Sequence, residues 1–323
     1  MKKIIYLKEL NSYDEILKKE YKNFPMFFKK IIFLFKNLFN IVTKKNIEGN
    51  NIWILPIKEK YTDDKIRNII RKKLKIDNNT YVISKELSNG NICKIMNEYS
   101  LEYITEEKAK KVLIIPVLQY ISKLQKKDIN SLDISILVND NSEINLLLIE
   151  EISKIVKSIK IVSLNIYKFR KLEEKLYNDE GIAIQFSNSY KKSLEKSNII
   201  INFDFNEIEI NEYNIYNNAI IINCYKDNIK IKSRLFEGIV INSYDITIDK
   251  ELMQKFKDIN IYYNYKNIIL YATLLKDRNI IISYQNNDEE CVRIKNLIGN
   301  NGVINKKEFK NMLKKLDKNI KKE

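Results

Sequence analysis

The chain has 323 residues, with 57 Lys plus Arg against 42 Asp plus Glu and no histidine. Without imidazole there is no Ser-His-Asp triad, no Cys-His dyad and no His-bound metal. The widely spaced Cys93, Cys224 and Cys291 make neither a zinc set nor a disulfide framework, and they fit a reducing cytoplasm.

A formal charge of +15 points toward nucleic acid or an anionic membrane. Only Arg67, Arg71, Arg170, Arg234, Arg278 and Arg293 carry the guanidinium fork used for bidentate phosphate and base recognition, however. Lys, Asn, Ile and Tyr dominate instead. That is the residue set of AT-rich codons, and it argues against a nucleic-acid partner. Lys8 and Glu9 break the opening apolar stretch before a leader core forms. No uncharged apolar run reaches the length of a membrane-spanning helix.

The first element with a clear pattern lies over residues 27–42. Apolar residues recur at 28, 31, 32, 35, 38, 39 and 42, with lysines and asparagines opposite and Phe33 out of phase. This basic amphipathic helix is expected to dock on its own domain. The other reading is contact with an anionic bilayer through Phe28, Ile31, Ile32, Phe35 and Phe39. A strand over 51–55 ends at Pro56, and Thr62 caps a helix running through Ile76. Residues 80–84 form a strand, 92–99 a short helix, and 106–126 a longer helix interrupted near Pro116. The polar run 126–131 marks the domain boundary, giving a smaller N-terminal α/β domain over 1–127 and a second domain over 128–323.

The second half alternates more regularly. Short apolar runs suited to buried parallel strands fall at 134–138, 160–164, 182–186, 198–202, 219–223 and 238–242. Between them lie a helix capped by Ser142, a helix carrying Phe169, Leu172 and Leu176, and a short helix over 187–195. The tail adds a helix near 270–275, a strand at 280–284, a turn at 299–302, and a final helix with Phe309, Met312, Leu313, Leu316 and Ile320 on one face. Six strands with short crossovers predict an α/β fold: a Rossmann-like doubly wound parallel sheet.

Two segments of this half carry a family likeness. Residues 161–169 hold a strand followed by Asn165, and residues 197–204 hold Ser-Asn-Ile-Ile-Ile-Asn-Phe-Asp. In order and spacing, the run from Ile134 to Phe205 resembles the nucleotide-binding domain of the shikimate dehydrogenase and glutamyl-tRNA reductase group. The resemblance implies NAD(P) as cofactor. It lies over a turn at Asn139, Asp140, Asn141, Ser142, Glu143 and Ile144, against Asn165 and beside Asn202. None of those six turn positions is glycine. Asn139 and Asn141 are expected to take the left-handed conformation that the glycines would supply. Asp140 and Glu143 put negative charge where phosphate would sit, against a helix N-terminus that they stabilise.

Catalytic residues do not carry over. Lys58, after Pro56, resembles the substrate-site lysine of shikimate dehydrogenases, but the flanking motifs are missing and a surface lysine explains it. Cys93 lacks the surroundings of the reductase nucleophile. Glu150-Glu151, Glu173-Glu174 and Asp288-Glu289-Glu290 are adjacent pairs that splay apart, so no metal site is expected and solvated helix faces account for them. Tyr262, Tyr263 and Tyr265 read as strand-edge packing. The leading expectation is a binding or regulatory protein on a degenerate Rossmann-like fold, without catalysis. Its ligand is then a protein partner or a small nucleotide. The alternatives are an NAD(P)-dependent oxidoreductase and a peripheral membrane protein.

Overall fold

A computed structural model describes residues 106–247 and 293–316 throughout, the backbone of 3–9, 43–47, 50–57, 62–73, 80–84, 102–103, 248, 292 and 317–320, and further single positions and side chains. The chain divides into two compact units, Met1–Thr105 with Ile248–Asp277 and Glu106–Thr247 with Arg278–Glu323.

The first unit carries β1 (Lys3–Glu9), β2 (Thr43–Ile47), β3 (Asn50–Ile57), α1 (Asp63–Lys73), β4 (Thr80–Ser84) and β5 (Glu102–Tyr103). Its five strands lie in the order β2-β3-β1-β4-β5. β1 is parallel to both β3 and β4, while β2 runs antiparallel to β3. Neither β1 nor β2 is expected from the sequence. β1 is an apolar stretch closed by charge at both ends, and β2 is mostly polar. Pairing with β3 supplies what intrinsic propensity does not. β3 also continues through Pro56, past its expected end. Pro56 pairs in register with Lys8, whereas β2 stops pairing at Ile54. The missing N–H therefore falls where β2 no longer flanks the strand.

Of the helix expected over 27–42, residues 27, 28 and 31 are helical, and Phe27 and Phe28 are exposed. Ile32, Phe35 and Phe39 lie outside the described residues, as do Lys58, Cys93, Cys291, Tyr262, Tyr263, Tyr265, 270–275 and 280–284. No helix among the described residues is long and apolar enough to cross a membrane.

The second unit begins with α2 (Glu106–Val112) and α3 (Ile114–Gln125). The helix expected over 106–126, interrupted near Pro116, breaks at Leu113, three residues before that proline, whose ring nitrogen has no N–H to give to the preceding turn. Then follow β6 (Asp133–Leu137), α4 (Glu143–Ile155), β7 (Ser158–Val162), α5 (Arg170–Glu180), β8 (Gln185–Ser187), β9 (Ile199–Asn202), α6 (Glu207–Asn211), β10 (Ile220–Asn223) and β11 (Ile239–Ile241). All six strands are parallel, in the order β8-β7-β6-β9-β10-β11. Counted within the unit this is 3-2-1-4-5-6, the Rossmann-like arrangement, with the reversal between β6 and β9. The expected fold class stands.

The strand sequences explain the sheet. Ile199 to Asn202 and Ile220 to Asn223 read Ile-Ile-Ile-Asn, and every residue of both is buried. Strands covered on both faces have no solvent side to mark with polar residues. Ile200 pairs in register with Ile221, and Ile221 with Val240, so these three lie side by side in one core layer with Leu137, Phe205 and Tyr213.

Two expectations fail locally. β8 starts at Gln185 rather than Ile182, because the chain leaves α5 through Gly181 at φ 67, with Ile182 N–H donating to the Leu176 carbonyl (3.0 Å). That helix-ending motif consumes the first residues of the expected strand. The helix expected over 187–195 is a series of turns. Ser187 Oγ accepts from Ser189 N–H (3.4 Å) and Ser189 Oγ from Lys192 N–H (3.3 Å), so hydroxyls take amides that a helix would need.

A small sheet completes the unit, in the order β12-β13-β14, from β12 (Ser243–Ile248), β13 (Val292–Gly299) and β14 (Gly302–Ile304). The expected turn at 299–302 joins β13 to β14. The last helix, α7 (Lys306–Ile320), buries Phe309, Leu313 and Leu316 as its spacing predicts. Asn305 and Glu308 close its first turn as a capping box.

Candidate functional site

In an open parallel sheet, ligands bind beyond the carboxyl ends of the strands at the reversal. Here those are the ends of β6 and β9. After β6 the chain turns through Asn139, Asp140, Asn141 and Ser142 into α4. After β9 it runs through Phe203 to Asp204. The Asp204 carboxylate lies on the β6 turn: Oδ1 accepts from Asn139 N–H (2.8 Å), and Oδ2 accepts from Asp140 N–H (2.7 Å) and Asn139 N–H (3.0 Å). The two backbone amides that open the turn ahead of α4 already hold a carboxyl group from the same chain.

Asn139 adds a second tie. Its Oδ1 accepts from Leu164 N–H (2.9 Å) and Ser163 Oγ (3.2 Å) at the end of β7. Asn145, fully buried in the first turn of α4, donates Nδ2 to the Asp140 carbonyl (2.9 Å). These bonds shape the turn without left-handed backbone. Among the described residues only Lys126 has a positive φ outside glycine, so the left-handed conformation expected of Asn139 and Asn141 is not adopted. Nor does Ser142 make the expected side-chain cap. Asn141 and Glu143 are exposed at the mouth of the turn, and Ile144 is half-buried.

Burial raises the Asp204 carboxyl above the ordinary aspartate value of 3.8. The amides of Asp140 and Asn139 and the Lys111 ammonium pull it back, and the Asp140 carboxylate adds to the rise. A raised native value means that folding favours the protonated form. Its stabilisation is complete below 3.8 and lost as pH climbs through the native value. The stability of the natural protein relative to Asp204→Asn should therefore fall as pH rises from 3.8 through the native value, read from urea midpoints. A difference that grows with pH would mean that the amides and Lys111 outweigh burial.

Beyond β9 the strand ends are closed by amides. Asn202 donates Nδ2 to Asn223 Oδ1 (2.9 Å), Asn223 donates to Asn242 Oδ1 (3.0 Å), and Asn242 donates to Asn300 Oδ1 (2.7 Å). Each of the first three also ties down the loop after a strand. Asn202 holds Phe205 through its N–H (2.9 Å) and carbonyl (2.8 Å), Asn223 holds Tyr225 N–H (3.1 Å) and the Asp227 carbonyl (2.8 Å), and Asn242 holds Ile229 N–H (2.9 Å). Asn202 and Asn223 are fully buried, and 1% of Asn242 is exposed. Asn202, which the family resemblance would put beside a cofactor, is committed to its neighbours.

Charge and thiol chemistry lie behind this seam. Lys110, 1% exposed, donates Nζ to the carbonyls of Tyr225 (2.6 Å) and Asn242 (3.1 Å). Lys111 pairs with Glu107 (2.8 Å), and its Nζ lies 5.8 Å from the Phe203 ring centre. Cys224 is fully buried, and burial pushes its thiol up to about 12, which keeps it protonated and unreactive at neutral pH.

At the end of β7, Leu164, Asn165 and Tyr167 are exposed. The Arg170 guanidinium lies 4.7 Å from the Tyr167 ring centre, and Lys168 Nζ donates to the Asn139 carbonyl (3.3 Å). The acidic pair Glu150-Glu151 is not the solvated face that its spacing suggests. Glu150 pairs with Lys175 (2.6 Å) and Lys154 (3.2 Å), and Glu151 pairs with Lys154 (3.5 Å). No cluster of acidic and cysteine residues that could hold a metal occurs among the described residues.

The structure thus brings Asn139, Asp140 and Asn165 to one crevice, turns Asn202 inward, and adds Asp204, Asn145, Lys110 and Lys111. The signal for Asp204 was its place two residues after the strand-ending Asn202.

No family profile matches the chain, and no curated relative matches it. Solved structures similar to it include L-tryptophan dehydrogenase from Nostoc punctiforme, at 12% identity over 85% of this chain and 78% of the other, with a TM-score of 0.33. The dipicolinate synthase A chain from Bacillus subtilis is 10% identical over 88% and 97%, at 0.34. Aspartate transcarbamoylase from Trypanosoma cruzi is 9% identical over 68% and 70%, at 0.29. The fold assignment rests on strand order and direction rather than on these likenesses.

Proposed function

We propose that the second unit is a binding or regulatory domain on a nucleotide-binding fold, whose phosphate cradle is filled by its own carboxylate. The observation that supports this reading is Asp204 on the amides of Asn139 and Asp140. A pyrophosphate entering the crevice has to displace that carboxylate and then sit beside Asp140 and Glu143, where glycines would have left room and no charge. The domain's partner is then a protein or a ligand that carries no phosphate into this turn.

Calorimetric titration with NADH and NADPH at low salt tests the proposal. The natural protein should give no heat up to millimolar cofactor, and Asp204→Gly should gain measurable binding. Micromolar binding by the natural protein overturns the reading.

One observation favours a second reading, an NAD(P)-dependent oxidoreductase. Tyr167, Lys168 and Arg170 gather beyond β7, where the adenosine end of a dinucleotide lies in this fold and where an arginine accommodates a 2′-phosphate. On that reading Asp204 leaves the turn when the cofactor arrives, and NADPH binds in preference to NADH.

A further inference from the structure

At the far edge of the six-stranded sheet, away from the β6–β9 reversal, lies a cavity of about 720 Å³. It opens between the loop before β11, the β13–β14 hairpin and α7. Its volume falls within the usual range for small-molecule sites. The space follows from the chain. Three of its six glycines, Gly238, Gly299 and Gly302, line the cavity. A Cβ on Gly299 would come within 2.8 Å of Ile304 Cδ1 and 3.0 Å of the Val240 carbonyl, so glycine lets the hairpin lie close to the edge strand.

The lining divides by chemistry. Phe236, Val240 and Met312 supply apolar surface, with Val240 9% exposed. Lys230 and Lys315 supply positive charge, and neither has an ion-pair partner among the described residues. The one carboxylate in the lining, Glu308, is turned to the Asn305 N–H (2.9 Å) as part of the α7 capping box. Asn300 Oδ1 is occupied by Asn242 Nδ2. The cavity therefore offers an apolar wall and two ammonium groups that have no ion-pair partner among the described residues.

We propose that this cavity binds a small organic anion with an apolar body, the acid group lying between Lys230 and Lys315 and the apolar part against Phe236, Val240 and Met312. The site is independent of the β6–β9 crevice, and it stands whether or not that crevice takes a dinucleotide.

Paired calorimetric titrations of the full chain with 1-naphthalenesulfonate and the neutral 1-naphthalenemethanol test it. The sulfonate should bind one per chain and at least tenfold more tightly than the alcohol. Lys230→Gln with Lys315→Gln should erase that difference and leave the thermal midpoint unchanged, since both side chains are exposed. Met312→Trp should remove both ligands by filling the space, and Asp204→Gly should alter neither. Equal affinity for the two probes, sulfonate binding untouched by the double lysine variant, or no binding at millimolar probe would overturn the proposal.

Discussion

Replacing Asn223 with leucine should lower the stability of the second unit by about 3 kcal/mol, among the larger effects expected of a single change. The two side chains are close in size, so the effect isolates hydrogen bonding rather than volume. Asn223 makes four bonds while fully buried: it accepts from Asn202 and Tyr225 N–H, and donates to the Asp227 carbonyl and Asn242. Leucine makes none of these. Asn202 keeps the Phe205 carbonyl and Asn242 keeps the Ile229 N–H. Tyr225 N–H and the Asp227 carbonyl, however, lose the side-chain partner that fixes their loop. A buried group left without a partner costs roughly 1–3 kcal/mol, which sets the scale. Urea unfolding reads the effect as a lower midpoint with the slope unchanged. A loss below about 1 kcal/mol would mean that water serves the loop as well as the amide does.

Gly238→Ala should cost a similar amount, about 3 kcal/mol, for a purely steric reason. A Cβ there would lie 2.1 Å from the Ala219 carbonyl oxygen and 2.5 Å from the Phe236 ring. That oxygen accepts the Ile239 N–H (3.0 Å) that holds β11 to β10. The methyl group can be housed only if the edge strand moves away. The amides of Ile239 and Ile241 should then exchange with solvent faster, beyond the change in overall stability. Gly181→Ala is the contrasting control. It has φ 67 and nothing within 4 Å, so its cost should be about 1 kcal/mol and conformational alone. If the two substitutions cost the same, packing at position 238 is looser than the distance implies.

Much of the second unit was legible because its strands are buried on both faces and short. A run such as Ile220-Ile221-Ile222 between polar turns has few other uses in a chain so poor in glycine and proline. The final helix was legible for the complementary reason, a single apolar face repeated over four turns. Residues 182–195 were not. There the outcome depends on a left-handed cap at Gly181 and on serine hydroxyls competing for backbone amides, and neither changes the apolar pattern. β2 was hidden because its strand character is borrowed from β3. In the crevice, the missing glycines were visible at once, and so was the excess of negative charge. The residue that matters most there was hidden by distance, since Asp204 meets the β6 turn across 65 residues of sequence. The one local sign is its place two residues after the strand-ending Asn202, which does not say what it meets.

The asparagine seam has a consequence for how firmly the strand ends are held. An amide has a donating end and an accepting end, so a row of them has a polarity. At Asn202 the polarity is dictated by the backbone, because Phe205 offers its N–H to Oδ1 and its carbonyl to Nδ2. The backbone sets the next two amides in the same sense: Tyr225 N–H and the Asp227 carbonyl orient Asn223, and the Ile229 N–H and carbonyl orient Asn242, which meets Asn300 Oδ1. No member can turn over alone without setting donor against donor on one side and acceptor against acceptor on the other. The row is pinned at three strand ends separately, so a flip at any one of them is resisted by its own loop and by its neighbours.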